Sequence, residues 1–145
     1  MFPFSFLHYV RYPSSGRGLK PGQKIGIITA ASDFLNAEVF SQVGVDDISD
    51  LAIIGSENYG EFYKVRGIHN VGHFNPFKVE QDLAVLAKQL VKDNPEIGAM
   101  LLECGVMPPY AWAVQNAVDL PASDFYTLID WIYKTVVRRP FAGFY

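Results

Sequence analysis

A chain of 145 residues with a formal net charge of −3 has the size of one domain. Half of it is hydrophobic and 14% is aromatic, enough apolar surface to fill a core, which excludes a disordered or low-complexity chain. One cysteine excludes an internal disulfide and any multi-cysteine metal cluster, and the mild acidity gives no electrostatic reason to expect a nucleic-acid partner.

Charge is uneven along the chain. Residues 1–24 hold Arg11, Arg17, Lys20 and Lys24 and no acid, the pattern of a solvated segment. The opening MFPFSFLHYV is too short to cross a bilayer and lacks the basic flank and cleavage site of a secretory signal. The sequence therefore predicts a soluble, cytoplasmic protein with no membrane partner. RYPSSGRGLKPGQ (11–23) breaks any regular pattern, and it separates an N-terminal arm, residues 1–20, from an α/β domain, residues 21–145.

KIGIIT (24–29) reads as a buried strand. Ser32 is placed to cap a following helix with Asp33 in its first turn. Phe34, Leu35, Val39 and Phe40 recur at helical spacing until Gly44. LAIIGS (51–56) is a second strand, and GSENYGEFYKVRGIHNVGHFNPF reads as a long loop with at most one short strand. VEQDLAVLAKQLVKD (79–93) is the clearest helix, with Val79, Leu83, Leu86 and Leu90 on one face. Asn94-Pro95 stops it. IGAMLLE (97–103) is apolar enough for a central parallel strand, and Pro108-Pro109 suit the first turn of a helix. A short strand near Leu120 and a helix over 123–137 follow, the latter with Leu128, Ile129, Ile132 and Val136 as its inner face. Strands alternating with helices predict a single three-layer α/β domain: a parallel sheet with helices on both faces and ligands beyond the strands' carboxyl ends.

Cys104 falls where a buried strand gives way to a helix. There, helix-start N–H groups and the helix dipole favour a thiolate. A buried structural cysteine is the competing reading. Strand alternation sends the neighbouring Glu103 to the opposite face. His8, His69 and His73 are spaced too irregularly for a metal site, and no phosphate loop, dinucleotide fingerprint or nucleophile-elbow serine is present.

The blocks PGQKIGIITA, AIIGSENYGEF, ECGVMPPYA and the stretch running through DLPASDFYTLIDWIYKTVVRRPF resemble the carboxyl-terminal half of the aspartate/glutamate racemase superfamily, over roughly residues 21–142. The resemblance implies a cofactor-independent isomerase acting on an amino acid or other small carboxylate, with neither metal nor pyridoxal phosphate. In that family two cysteines from two similar domains exchange the α-proton, and Cys104 matches the second. The candidate site is then Cys104 as thiol acid/base, with Gly105, Val106, Thr29 and Ser32 as substrate contacts. Gly105 and Val106 stand where the family has Thr and Asn, and the family's first domain has no counterpart. A non-catalytic single-domain descendant, binding a small anion or serving assembly, is therefore the alternative. The unmatched domain face and the aromatics Phe2, Phe4, Phe6, Tyr9, Tyr12, Phe141, Phe144 and Tyr145 predict a homodimer, in its sharper form with two Cys104 thiols near one shared cleft.

Overall fold

In the computed structural model, which describes residues 19–65, 73–138, 140 and 142–143, the apolar runs pair into one parallel sheet. Its strands are β1 (Lys24–Thr29), β2 (Leu51–Gly55), β3 (Ile97–Leu102) and β4 (Ala122–Ser123). They lie in the order β2-β1-β3-β4, with every neighbouring pair parallel. The helices are α1 (Ala37–Ser41), α2 (Gly60–Val65), α3 (Pro76–Asp93), α4 (Ala111–Val118) and α5 (Phe125–Val136). Single 3-10 turns occupy Ser32–Phe34 and Pro108–Tyr110.

Alternation along the strands divides the core between two faces. Ile28, Met100 and Leu102 meet Phe62 of α2, Leu83 and Leu86 of α3 and Val114 of α4. Ile25, Ile27 and Leu101 point the other way, to Phe40 of α1, Val45 and Leu128 of α5. Helices thus cover both faces, as the sequence predicts. Each fully buried Leu or Ile contributes on the order of 1.5–3 kcal/mol by leaving water, and most of the large buried side chains sit on the α3 side. Gly26 belongs to that side. A Cβ there would come within 2.9 Å of Met100 Sδ and 3.1 Å of Leu90 Cδ2, so the absent side chain lets α3 lie close on β1.

Three stretches depart from expectation. The helix expected after β1 is broken, because Asn36 accepts the Val39 N–H (3.1 Å) and restarts the chain as α1. Ser32 opens the 3-10 turn and makes no side-chain cap, while Gly44 ends the α1 region with φ +78°. The stretch read as a loop contains α2. Its Phe62 is fully buried and its N–H donates to Asp82 of α3 (3.1 Å), tertiary contacts that local glycines do not reveal. On α5 the expected inner face is corrected. Leu128 is buried, whereas Ile129, Ile132 and Val136 face solvent, since the two-residue β4 leading into the helix presents little sheet to cover. The aromatics at both termini, together with His8 and His69, lie outside the described residues. Among the described residues no helix is long and apolar enough to cross a membrane.

Candidate active site

The chain leaves β1 toward β2 on one side and then returns past β1 to β3 on the other. Between the carboxyl ends of β1 and β3, successive connections therefore depart to opposite faces and open a crevice, the place where open parallel sheets bind ligands. Thr29 ends β1, and Glu103 and Cys104 follow β3 directly. Backbone pairing continues past the strand, with the Glu103 N–H donating to the Ile28 carbonyl (3.0 Å). The two edges are thereby held side by side.

Two hydroxyl–carboxylate pairs build the rim. Thr29 Oγ1 donates to Glu103 Oε2 at 2.9 Å, a bond between residues 74 apart in sequence. Ser32 donates to Glu57 Oε1 twice, from its backbone N–H and from Oγ (2.7 Å). The Glu57 carboxylate lies so close over Gly55 that any side chain there would collide with it. Ser56, fully buried between these pairs, ties the β2 edge to β1: its N–H donates to the Thr29 carbonyl (3.0 Å) and its Oγ to the Ala30 carbonyl (3.2 Å).

Glu103 and Cys104 diverge, as alternation requires. Glu103 joins Thr29 on the α1/α5 side, while Cys104 is partly buried and packs against the α3/α4 core with Tyr59, Val106 and Tyr110. The Met107 N–H donates to the Cys104 carbonyl (3.0 Å), closing the turn that holds Gly105 and Val106. Phe125 of α5 flanks that turn, 3.7 Å from where a Gly105 side chain would begin. The helix start next to Cys104 is a 3-10 turn that passes into α4, an eight-residue helix. Tyr110, in that turn, has its phenol pushed above the ordinary value of 10 by burial and by the negative charge of Glu80.

All five sequence-predicted residues, Thr29, Ser32, Cys104, Gly105 and Val106, thus follow or end β1 and β3 at one edge. The hydroxyl protons of Thr29 and Ser32 are committed to carboxylates. Glu57 and Glu103 were not among the candidates, and their positions just past β2 and β3 were the signal that could have found them. Among the described residues, the segments leaving the strands here (30–36, 56–59, 103–107 and 124) carry Asp33, Glu57, Glu103 and Asp124 and no lysine or arginine. Asp124 is engaged in capping α5. No group of three or more His, Cys, Asp or Glu among the described residues is arranged to hold a metal ion. A separate groove of about 330 Å³ runs between α3 and α4 past Phe77, Glu80, Lys88 and Trp112, and none of the rim residues lines it.

No family model and no solved structure matches the chain. Two curated proteins do. Dimethylsulfoniopropionate lyase from Durusdinium sp. clade D is 29% identical over 138 residues, covering 90% of this chain and 44% of its own length. Dimethylsulfoniopropionate lyase 5 from Emiliania huxleyi is 35% identical over 66 residues, 46% of this chain and 13% of its own length. The chain thus spans less than half the length of either relative. Both names denote a lyase, which corrects the resemblance to the aspartate/glutamate racemase superfamily and the isomerase activity drawn from it. The blocks carrying that resemblance comprise β1, most of β2 and α5 together with the turns that leave β1, β2 and β3. Such turns build a rim, and one fold's rim serves many reactions.

Proposed function

We propose that this chain is a lyase that eliminates dimethyl sulfide from a sulfoniopropionate at the shared edge of β1 and β3. The observation that carries the reading is Cys104 at the switch point, in a rim that carries Asp33, Glu57, Glu103 and Asp124 and no lysine or arginine among its described residues. Such a rim suits a substrate with a cationic sulfur and opposes an amino acid with a second carboxylate. The relatives' names supply the substrate class.

The chemistry balances with one base. The Cys104 thiolate takes the proton from the carbon next to the substrate carboxylate, and the freed electron pair becomes a carbon–carbon double bond. The carbon–sulfur bond breaks, dimethyl sulfide departs with the bonding pair, and acrylate remains. A sulfonium leaves as a neutral molecule and needs no proton, so the second thiol of a two-base exchange has no task here. The N–H groups of Gly105 and Val106 hold the substrate carboxylate in the turn after Cys104. Thr29 and Ser32 fix Glu103 and Glu57, whose charges make the rim as a whole attractive to a cation, and the faces of Tyr59 and Tyr110, on the same side of the sheet as Cys104, receive the sulfonium.

The test incubates the full chain with dimethylsulfoniopropionate and measures released dimethyl sulfide and acrylate in equal amounts. Cys104→Ala should lower the rate by about 10²–10⁴, the usual contribution of a positioned base, with circular dichroism unchanged. The neutral thioether analogue should give no product. A wild-type chain without activity, or a Cys104→Ala chain as active as wild type, overturns the proposal.

A further inference from the structure

α3 and α4 both return the chain between parallel strands, so they run in the same direction and start at the carboxyl edge of the sheet. The groove of about 330 Å³ between them lies within the size range of small-molecule sites. Ala84, Ala113 and Ala117 line it and are buried or half-buried, so small side chains make its floor. Toward the helix starts it holds Phe77 (74% exposed) and Trp112 (60%), two large rings left in water beside the half-buried Glu80. Glu80, Ala84 and Lys88 share one row of α3 at i, i+4 and i+8. Their rise sets the carboxylate and the ammonium about 12 Å apart along the axis, with only an alanine between them. Among the described residues neither charge forms an ion pair.

We propose that this groove is a second small-molecule site, for a zwitterion with a methylated onium head and a carboxylate tail. The head lies against Trp112 and Phe77 with Glu80 as its counter-ion, and the tail lies toward Lys88. Aromatic faces attract a cation, tryptophan most strongly, and two exposed rings beside a carboxylate are the recurring arrangement for onium recognition. The two charges stand too far apart to satisfy each other, and a zwitterion of opposite polarity supplies a partner to both. An apolar occupant would instead take both charges out of water without pairing them. The Glu80 charge also reaches Tyr110, in the turn after Cys104, where it adds to burial in holding the phenol neutral. A cation at Glu80 therefore acts on the turn beside the rim. Dimethylsulfoniopropionate belongs to this ligand class, yet the inference rests on the groove residues and stands apart from the chemistry at Cys104.

Isothermal titration calorimetry of the full chain with β-alanine betaine, a trimethylammonium carboxylate, should show saturable binding. The analogue 4,4-dimethylpentanoate, of the same shape with carbon in place of the charged nitrogen, should not bind. Trp112→Ala and Glu80→Gln should each weaken betaine binding about tenfold. Lys88→Met should weaken it about threefold and leave tetramethylammonium, which has no carboxylate, unaffected. In a Trp131→Phe chain Trp112 is the one tryptophan left, and its fluorescence should change with the calorimetric midpoint. Bound betaine should also bring the late-ionising tyrosine back toward 10, since the onium offsets Glu80. No saturable binding up to about 10 mM overturns the proposal. Equal binding of the neutral analogue overturns the ligand class. Wild-type affinity in both Trp112→Ala and Glu80→Gln, each with a native circular dichroism spectrum, places the ligand elsewhere and overturns the site. Dimethyl sulfide release is a separate readout, so the failure of either reading is seen without the other.

Discussion

Replacing Thr29 by valine keeps the shape and strand preference of the side chain while deleting the hydroxyl that donates to Glu103 Oε2 at 2.9 Å. A hydrogen bond to a charged group is worth about 1.5–3 kcal/mol net. Glu103 keeps partial access to water, which offsets some of the loss and places the expected cost near the lower end, about 1.5 kcal/mol. Unfolding entropy of about 2.1 cal/mol/K per residue amounts to roughly 0.3 kcal/mol/K for this chain, so Tm should fall by about 5 °C. Thermal melts followed by far-ultraviolet circular dichroism measure this. A cycle with Glu103→Gln separates the pair from its surroundings, and its coupling energy should be about 1 kcal/mol or more. A Tm within about 1 °C of wild type, or additive single variants, would refute the claim that this bond joins the two strand ends at the site.

Leu86→Ala empties a fully buried position on the inner face of α3 and should cost about 2–5 kcal/mol in urea unfolding, with the m-value unchanged. Gly55→Ala collides with the Glu57 carboxylate, so it should displace that carboxylate from Ser32 and lower elimination activity more than it lowers Tm. The Glu61 carboxyl is held below 4.5, first by the hydrogen bond from Lys64 and then by the Asn75 N–H, so the charged form is favoured in the folded state. Its stabilisation is present above that ordinary value and is lost as the pH falls through the lowered folded value. Glu61→Gln should therefore flatten the acid limb of the Tm–pH profile and leave less difference from wild type at low pH than at neutral pH. Spectrophotometric titration should show one tyrosine ionising late, and Glu80→Gln should bring it back toward 10, less than fully because burial is the larger cause.

The local elements were legible wherever one residue type settles the backbone. Apolar runs gave β1, β2 and β3 within about a residue, and the period of Val79, Leu83, Leu86 and Leu90 identified α3 and its buried face. Pro76 and the Asn75 cap extend α3 by three residues, a start signal that lies within the stretch the sequence reads as loop. α2 was not legible, because its helix rests on burying Phe62 and on the Phe62–Asp82 bond to another element.

From the sequence alone came the alternation of strands and helices, hence a parallel sheet with a ligand edge, and the placement of Cys104 on that edge. Both follow from periods of 2 and 3.6 residues, which are local quantities. The strand order β2-β1-β3-β4 was decided only in three dimensions, and with it the joining of Thr29 to Glu103 and of Ser32 to Glu57. So was the exposure of Ile129, Ile132 and Val136, apolar residues that periodicity assigns to an inner face. Periodicity records which residues share a side of a helix. Whether that side meets the sheet or another molecule depends on how much surface the neighbouring strands present, and here β4 presents two residues.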